Sequence, residues 1–261
     1  MMMNYFVEGL QGSGKSTLVK RIAEKHPDHR ALLEGDYSPV ELSWCGYMSK
    51  AEHQRVLDAF PSLHDEIVQN SHEEADRVVV CYTRVQTDRQ DFYRLMEQHE
   101  IYNNRVPLDD FRRIVLSRYR RWHEDGLIVE CSLFQNIVEE MILFRCLSDE
   151  EILSFYREIR QAIGSRPIHI AYIRTEEEDI ANNLDRARRE RTDGQGREVW
   201  YSMLCGYFNS CPYAVRNHLQ NADGLIRHWR HRQALEMRLC EELFPGQYTI
   251  FPSKKYGSVE I

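Results

Sequence analysis

The chain has 261 residues, of which 29% are charged, with a formal net charge of −7 and an isoelectric point near 5.9. This acidic balance argues against nucleic-acid binding, because a phosphate backbone requires a basic protein face. No stretch approaches the roughly 18 consecutive apolar residues of a membrane span, and no signal-peptide pattern is present, so we expect a cytoplasmic protein without a membrane partner.

Short strand-like runs alternate with helical patterns along most of the chain. In order, the strand candidates are residues 5–7, 31–33, 78–82, 127–129, 168–173 and 248–251. Such alternation predicts a parallel sheet covered by helices on both faces. Residues 44–126 depart from this spacing, because they hold helix-like material around one extra strand. We interpret them as an insertion within a single domain of residues 1–261, since no glycine- or serine-rich linker sets them apart.

The first strand leads into the most informative motif of the sequence. Residues 9–16 fit the pattern G-x-x-x-x-G-K-[ST] of a phosphate-binding loop, and a helical pattern follows until His26-Pro27. Glycines let backbone N–H groups approach phosphates, the lysine reaches the outer phosphates, and the hydroxyl group binds magnesium. The N-terminus of a helix at this position would add a partial positive charge that attracts the phosphate groups. The predicted nucleotide-binding residues are Gly9, Gln11, Gly12, Ser13, Gly14, Lys15, Ser16 and Thr17, and a structural turn is the alternative.

An acid follows the strand at 127–129. Glu130 ends this strand, and a helical pattern over 133–147 comes shortly after it. Parallel sheets bind ligands at the carboxyl ends of their strands, and a carboxylate there can hold Mg²⁺ directly or through water. We therefore predict that Glu130 and Ser16 bind the metal, and the alternative for Glu130 is a helix-capping or exposed strand-end acid. Gln135 and Asn136 are interpreted as polar residues at the core edge, or else as contacts to a substrate.

Acids also follow the second strand. Glu34, Asp36 and Glu41 lie close together in the sequence. Phosphoryl transfer to a hydroxyl group requires a carboxylate near the accepting oxygen, as a base or an orienting group. Asp36 is the first candidate for this role. The alternative is a solvated turn around Gly35 and Pro39.

A run of arginines follows the strand at 168–173. Thr175-Glu176-Glu177-Glu178 predicts a capping box that opens a helix, and Arg186 and Arg189 then share one face of that helix. A turn with two glycines comes next, at 192–196. We interpret 184–198 as a lid whose arginines stabilise a transferred phosphoryl group. A solvated charged helix is the alternative, and Arg84 is a weaker candidate for a phosphate contact.

Taken together, these motifs resemble the P-loop nucleoside and nucleotide kinases, in particular the deoxynucleoside kinase and thymidylate kinase branch. The likeness lies in residues 6–17, in residues 172–175 with the arginine run, and in Glu130-Cys131-Ser132, which is similar to a Glu-Arg-Ser motif of that branch. Pro39-Val40 and Trp44 also faintly resemble the segment that carries the acceptor-side base in that branch. Cys131 departs from the pattern, so the arginine contact is missing or comes from Arg84 or a lid arginine. Residues 38–41 and 133–136 are also similar to uncharacterised bacterial P-loop kinase-like proteins, which bring no substrate with them.

The resemblance implies an α/β protein with the three-layer P-loop NTPase fold, a central and mainly parallel sheet, a helical insertion on the acceptor side at 44–126 and an arginine-bearing lid. It implies an ATP- and Mg²⁺-dependent kinase of a small molecule, with a nucleoside or nucleotide as the first candidate. The implied catalytic residues are Lys15, Asp36, Glu130, Arg186 and Arg189. The alternatives are a kinase of another metabolite or an antibiotic, and a nucleotide-dependent switch that contacts a protein. The oligomeric state stays open, and a homodimer is compatible with the sequence.

Overall fold

The computed structural model describes residues 1–254. Within them the strands are β1 Asn4–Gly9, β2 Arg30–Leu32, β3 Gly46–Ser49, β4 Ser71–Glu74, β5 Arg77–Val80, β6 Leu127–Glu130, β7 Ile168–Arg174 and β8 Tyr248–Pro252. The α-helices are α1 Lys15–Lys25, α2 Lys50–Ala59, α3 His64–Gln69, α4 Gln90–Glu97, α5 Leu108–Arg121, α6 Gln135–Glu139, α7 Asp149–Ile163, α8 Glu177–Glu190, α9 Val199–Ser210, α10 Pro212–Arg216 and α11 Asn221–Leu243. A π-helical segment, Glu140–Phe144, continues α6.

The described chain divides into two compact units. The first unit contains residues 1–31 and 125–254, and the second unit contains residues 32–124. The predicted insertion at 44–126 therefore falls almost wholly in the second unit, which begins earlier than the insertion and includes the acids after β2. The interpretation of the chain as one domain stays a prediction.

The central sheet has the strand order β2-β6-β1-β7-β8. Its central strand β1 pairs in parallel with β6 and β7, and β7 pairs in parallel with β8. All residues of β1 and β6 are buried, as is typical of strands covered on both faces. The predicted α/β fold with a mainly parallel central sheet is thus confirmed. From β1 the chain continues towards the β2 edge of the sheet, whereas from β6 it crosses to β7 on the other side of β1. Sheets with such a change of direction bind ligands at the carboxyl ends of the strands where the change occurs.

The helix that follows β1 has the predicted form. Leu18, Val19 and Ile22 of α1 are buried, and the helix ends at Lys25, directly before His26. Contacts of α1 with β1 and β6 fix the direction in which the chain leaves the loop at 9–16. The apolar face of α1 therefore anchors the downstream end of the predicted phosphate-binding loop to the sheet.

The helix predicted over 133–147 is shorter than expected at both ends. The chain forms a turn after Glu130, and helical structure extends from Gln135 through the π-helical segment to Phe144. Cys131, which lies in this turn, is buried and has a left-handed φ of 57°. The carboxylate of Glu8 accepts two N–H groups in and just after the turn, from residues 133 and 135, at 2.6 and 3.1 Å, which holds this conformation. The expected helix start is thus replaced by a turn that is fixed from the neighbouring strand.

The capping box predicted at Thr175 is wrong. Helix α8 begins at Glu177, its N-cap is Glu176, and no side chain caps it within residues 1–254. Thr175 is instead tied to α11, because its N–H donates to the Gln233 side chain at 2.8 Å and its carbonyl oxygen accepts from the same side chain at 2.9 Å. The contact with Gln233 therefore occupies the backbone N–H and carbonyl groups of Thr175, so they are not used in a local capping motif.

The second unit has its own sheet, an antiparallel one with the order β3-β5-β4. The strand predicted at 78–82 overlaps β5, so it belongs to this sheet and not to the parallel one. Neither β3 nor β4 was predicted, since both are short. Within β3–β5 the register places Gly46 opposite Val80. The apolar side chains behind this sheet form a core of Met48, Val56, Leu57, Phe60, Ile67, Val78, Val80, Tyr82, Val85, Phe92 and Met96.

None of the helices within residues 1–254 combines the length and the apolar character needed to cross a bilayer. No disulfide bond joins any of the seven cysteines, all of which lie in this part of the chain.

Candidate active site

The loop at 9–16 turns sharply between β1 and α1. Gly9, Gly12 and Gly14 have positive φ angles of 141°, 74° and 103°. At Gly9, a Cβ atom would lie 2.5 Å from the carbonyl oxygen of Ile173, so a larger residue does not fit. At Gly12, a Cβ atom would meet nothing within 4 Å. The loop backbone therefore packs closely on its inner side and is open to a ligand on its outer side.

The start of α1 is suited to an anion. Its N-cap is Gly14, no side chain within residues 1–254 caps the helix, and its first turn contains no acid. The N-terminal N–H groups of a helix carry a partial positive charge, which attracts phosphate groups. The predicted phosphate-binding loop thus ends at a helix terminus that holds no competing negative charge of its own.

Lys15 is buried, and its ammonium group is fully hydrogen-bonded. Nζ donates to the carbonyl oxygens of Gly9 and Leu10 at 3.1 and 2.9 Å, and to Oε1 of Gln135 at 2.8 Å. An ammonium group has three N–H donors, so a phosphate oxygen would bind Nζ by replacing one of these acceptors. Gln135, interpreted above as an edge polar residue or a substrate contact, is therefore a direct partner of the loop lysine.

The two predicted metal ligands are brought together. The hydroxyl group of Ser16 donates to Oε1 of Glu130 at 2.6 Å, although the residues are 114 positions apart. Hydroxyl and carboxylate oxygens are ligands that Mg²⁺ prefers, so the pair fits this ion chemically. No group of three or more His, Cys, Asp or Glu suited to a metal occurs within residues 1–254. A magnesium site here would be completed by water and phosphate oxygens, as is usual for this ion.

A buried ionic network that was not predicted from the sequence lies against the loop. Arg232 is fully buried and donates to Oε1 of Glu139 at 2.5 Å and to the carbonyl oxygen of Gly9 at 3.3 Å. The same oxygen of Glu139 accepts from Nε2 of Gln11 at 2.8 Å. Burial by itself would raise the pKa of Glu139, but the Arg232 guanidinium, with His228 and Gln11, lowers that pKa to about 2.

Two further buried acids extend this network. Glu236 lies 3.2 Å from Nε of Arg232 and accepts a hydrogen bond from the hydroxyl group of Tyr172 at 2.7 Å. Burial raises its pKa even though Arg232 acts in the opposite direction. Glu8, which directly precedes the loop, has its pKa raised to about 7 by burial and by repulsion from Glu236. The sequence contains only a weak indication of this network, which is that residues 228, 232 and 236 share one face of α11. A polar helix face of this kind has the same sequence pattern as a face exposed to solvent.

The predicted lid arginines line a cavity of about 430 Å³ in the first unit. Its lining residues are Asp179, Asn182, Asn183, Arg186, Arg189, Ser253 and Lys254. The hydroxyl group of Ser253 donates to the carbonyl oxygen of Ser13 at 3.2 Å, which connects the cavity wall to the loop. Nζ of Lys254, another cation of this wall, donates to Asn183 at 2.5 Å. Three cationic side chains thus line a cavity whose wall contacts the predicted phosphate-binding loop.

The lid segment itself is internally paired. Arg189 forms an exposed ion pair with Asp185 at 2.7 Å, and Arg186 donates to Asn183. The turn at 192–196 is hydrogen-bonded around Asp193, which also pairs with the Arg197 guanidinium at 2.6 Å. The role of 184–198 as a lid stays a prediction.

Asp36 belongs to the second unit, where it is paired with Arg84. The carboxylate lies 2.5 Å from the guanidinium and also accepts the N–H of Leu33 at 2.8 Å. The residue predicted to orient the acceptor and the weaker phosphate candidate therefore form one ion pair. Such a pair can offer both an acceptor for a hydroxyl group and a donor for an anionic group. Its role in catalysis stays a prediction.

The other two acids after β2 differ from Asp36 in their partners. Glu34 accepts from the indole N–H of Trp44 at 3.2 Å. Glu41 is buried and accepts from the N–H and hydroxyl groups of Ser43, both at 2.7 Å, and from the hydroxyl group of Tyr102 at 2.6 Å. The carboxylate of Glu41 is therefore engaged by Ser43 and Tyr102, and which of the three acids acts on an acceptor stays a prediction.

Comparison with known proteins does not add a family. No protein-family model matches the chain, and a search of curated proteins finds no match either. The resemblance of the motifs to nucleoside and nucleotide kinases therefore stays a prediction, and the functional argument depends on the geometry of the loop, its lysine and the Ser16–Glu130 pair.

Proposed function

We propose that the chain is an ATP- and Mg²⁺-dependent phosphotransferase of the P-loop kinase type, which acts in the cytoplasm on a small acceptor. A nucleoside or nucleotide is the first candidate for that acceptor. The observation that supports the proposal most directly is the contact of 2.6 Å between Ser16 and Glu130, beside a glycine loop that contains a buried lysine. This combination provides backbone donors, an ammonium group and two hard oxygen ligands, which a nucleoside triphosphate with its magnesium ion requires.

Several residues would act by positioning and charge neutralisation. The loop N–H groups and Lys15 would bind the β- and γ-phosphates, with the ammonium group exchanging one of its three acceptors for a phosphate oxygen. Ser16 and Glu130 would hold Mg²⁺, which would neutralise phosphate charge during transfer. Arg186 and Arg189, as cations of the cavity wall, would contact the anionic oxygens of the transferred group.

Asp36 and Arg84 are the groups proposed to bind the acceptor. Asp36 would accept a hydrogen bond from the attacking hydroxyl group and take up its proton, while Arg84 would hold an anionic or polar group of the same acceptor. The ion pair of 2.5 Å between them supports this assignment, because it keeps both side chains oriented before the acceptor binds.

The test is ATP consumption by the purified protein with Mg²⁺, measured against nucleosides, nucleoside monophosphates and other hydroxyl-bearing metabolites, with the products identified by mass. We expect one acceptor class to be phosphorylated. We expect Lys15→Ala to lower the transfer rate by about 100-fold or more. The matched control is Lys20→Ala, which changes an exposed lysine of the same helix and should leave the rate unchanged. Full activity of a folded Lys15→Ala variant would contradict the proposal.

A further inference from the structure

We propose that the buried bridge between Glu139 and Arg232 holds the glycine loop in the conformation that binds the nucleotide. Glu139 and Arg232 would then be positioning residues of the proposed phosphotransferase, on which this inference rests. Neither residue belongs to the loop motif, and each acts on the loop through contacts of side chains with residues 9 and 11.

The bridge ties two points of the loop to two distant helices. A single carboxylate oxygen of Glu139 accepts from Gln11 at 2.8 Å and from Arg232 at 2.5 Å. Arg232 uses a second nitrogen for the carbonyl oxygen of Gly9 at 3.3 Å. Gln11 and Glu139 are 128 positions apart, and Gly9 and Arg232 are 223 positions apart. The first turn of the loop is therefore held by α6 and α11 in addition to its own backbone.

The carbonyl oxygen of Gly9 shows why a second cation is useful there. It accepts from Nζ of Lys15 at 3.1 Å as well as from Arg232. When Lys15 turns its ammonium group towards a phosphate, a buried carbonyl group that loses its partner costs free energy. Arg232 keeps this carbonyl group hydrogen-bonded in both situations. The lysine can then change partners without leaving an unpaired buried acceptor behind it.

Burial makes the bridge dependent on both of its charges. The Arg232 side chain is 0% exposed and lies between Glu139 and Glu236. A guanidinium group buried to this degree needs acidic partners, because an uncompensated charge in the interior is strongly unfavourable. Neutralising Glu139 should therefore make the position of Arg232 less fixed and weaken its hydrogen bond to Gly9. It should also weaken the direct hydrogen bond from Gln11 to Glu139.

The chain offers a matched control at the next residue. Glu140 is also buried and pairs with Arg145 at 2.7 Å, along its own helical segment. Glu139→Gln and Glu140→Gln each replace one carboxylate of a buried ion pair by an amide of the same shape. If Glu139 only stabilised its helix, the two variants should have the same effect on the loop and on ATP binding. If Glu139 positions the loop, only Glu139→Gln should change them.

The first measurement is hydrogen–deuterium exchange of residues 9–15 in the ligand-free protein. We expect exchange in this loop to be about tenfold faster in Glu139→Gln than in the unaltered protein, and within about twofold of it in Glu140→Gln. This comparison needs no nucleotide. Equal loop exchange in the two variants would overturn the inference and leave the proposed function untouched.

The second measurement is the affinity for ATP with Mg²⁺, together with kcat and KM. We expect Glu139→Gln to weaken ATP binding about tenfold, mainly through KM for ATP, and Glu140→Gln to leave it within about twofold. If Glu139→Gln does not fold, Gln11→Ala removes the loop end of the bridge and keeps the buried ion pair, and it should raise the dissociation constant in the same direction. ATP affinity unchanged in both Glu139→Gln and Gln11→Ala would overturn the inference. An unaltered protein that does not bind ATP would overturn the proposed function and this inference with it.

Discussion

Glu139 in the first unit and Glu100 in the second are both largely buried carboxyl groups, but their partners differ. The Arg232 guanidinium overcomes the effect of burial on Glu139 and lowers its pKa to about 2. Glu100 accepts a hydrogen bond of 2.6 Å from the hydroxyl group of Tyr82, and burial raises its pKa to about 7. A neutral donor offsets the loss of hydration less than a full opposite charge does.

Glu8 shows that the unit does not decide this difference. It lies in the first unit, beside the loop, yet it accepts backbone N–H groups, and burial raises its pKa to about 7. The carboxylate held by a guanidinium group thus stays ionised next to the proposed phosphate site, whereas the carboxyl groups held by neutral donors are poised to gain a proton near neutral pH.

The largest effect is expected from breaking the buried ion pair of the second unit. Arg118 is buried and donates to both oxygens of Glu74, at 2.8 and 2.6 Å. Arg118→Leu would leave the Glu74 carboxylate without this cation and should lower the free energy of unfolding by about 3–5 kcal/mol, measured by urea titration. The control, Arg113→Leu on the same helix, removes an exposed pair with Asp110 and should cost less than about 1 kcal/mol. Equal costs would show that burial does not govern these pairs.

The second prediction concerns Glu130, whose proposed cationic partner is the Mg²⁺ ion. Glu130 accepts from the hydroxyl group of Ser16, and in our proposal Mg²⁺ binds to both. Glu130→Gln should raise the Mg²⁺ concentration needed for half-maximal activity about tenfold or more, since an amide is a weaker ligand than a carboxylate. An unchanged Mg²⁺ requirement, measured at saturating ATP, would remove Glu130 from the proposed metal site.

The third prediction uses the opposite pKa shifts of Glu100 and Glu139. The pKa of Glu100 is raised from 4.5 to about 7, so its contribution to stability is present below 4.5 and is lost as the pH rises to about 7. The pKa of Glu139 is lowered from 4.5 to about 2, so its contribution is present above 4.5 and is lost as the pH falls towards 2.

Urea titrations at several pH values check these signs. Glu100→Gln should flatten the decline of stability between about pH 5 and pH 7, and Glu139→Gln should flatten the decline on acidification below about pH 4.5, each by up to about 1.4 kcal/mol per pH unit. If both variants altered the same pH range in the same direction, the contrast between charged and neutral partners would be wrong.

The smallest change in stability is expected at the lid. Arg189 and Asp185 form an exposed pair one helical turn apart, with side chains 71% and 55% exposed. Arg189→Ala should alter the free energy of unfolding by about 0.5 kcal/mol or less. If the lid acts as proposed, kcat should nevertheless fall about tenfold or more, because a charge contact to the transferred group is lost. Arg230→Ala, which removes an exposed arginine paired with Glu177, is the control and should leave kcat unchanged.

Part of the candidate site follows from the sequence because its geometry is local or obeys a topological rule. The loop at 9–16 depends on glycines and a helix start that are contiguous in the chain. Ser16 and Glu130 are far apart in sequence, but Glu130 ends β6 and Ser16 comes shortly after the neighbouring parallel strand β1. The carboxyl ends of these two strands meet at one edge of the sheet. The central sheet itself follows from apolar runs that alternate with helical patterns.

Other features were decided by tertiary contacts that leave little trace in the sequence. The run at 78–82 reads as a strand by composition, but its partners β3 and β4 placed it in a separate antiparallel sheet. The expected cap at Thr175 did not form, because the Gln233 side chain bonds to the backbone of Thr175. In both cases the local preference was compatible with several environments, and a distant segment selected one of them.

The sequence by itself determined the glycine loop, its lysine and the two oxygens proposed for magnesium, because these depend on spacing along the chain and on the order of strands. Only the tertiary structure decided that Glu139 and Arg232 meet behind Gly9 and Gln11. An arginine in the middle of a long helix reads as solvated, since exposure is the usual fate of a charged side chain. Its charge is compensated only because the fold brings the Glu139 carboxylate and the carbonyl group of Gly9 into hydrogen bonds with it and places the Glu236 carboxylate 3.2 Å from its Nε.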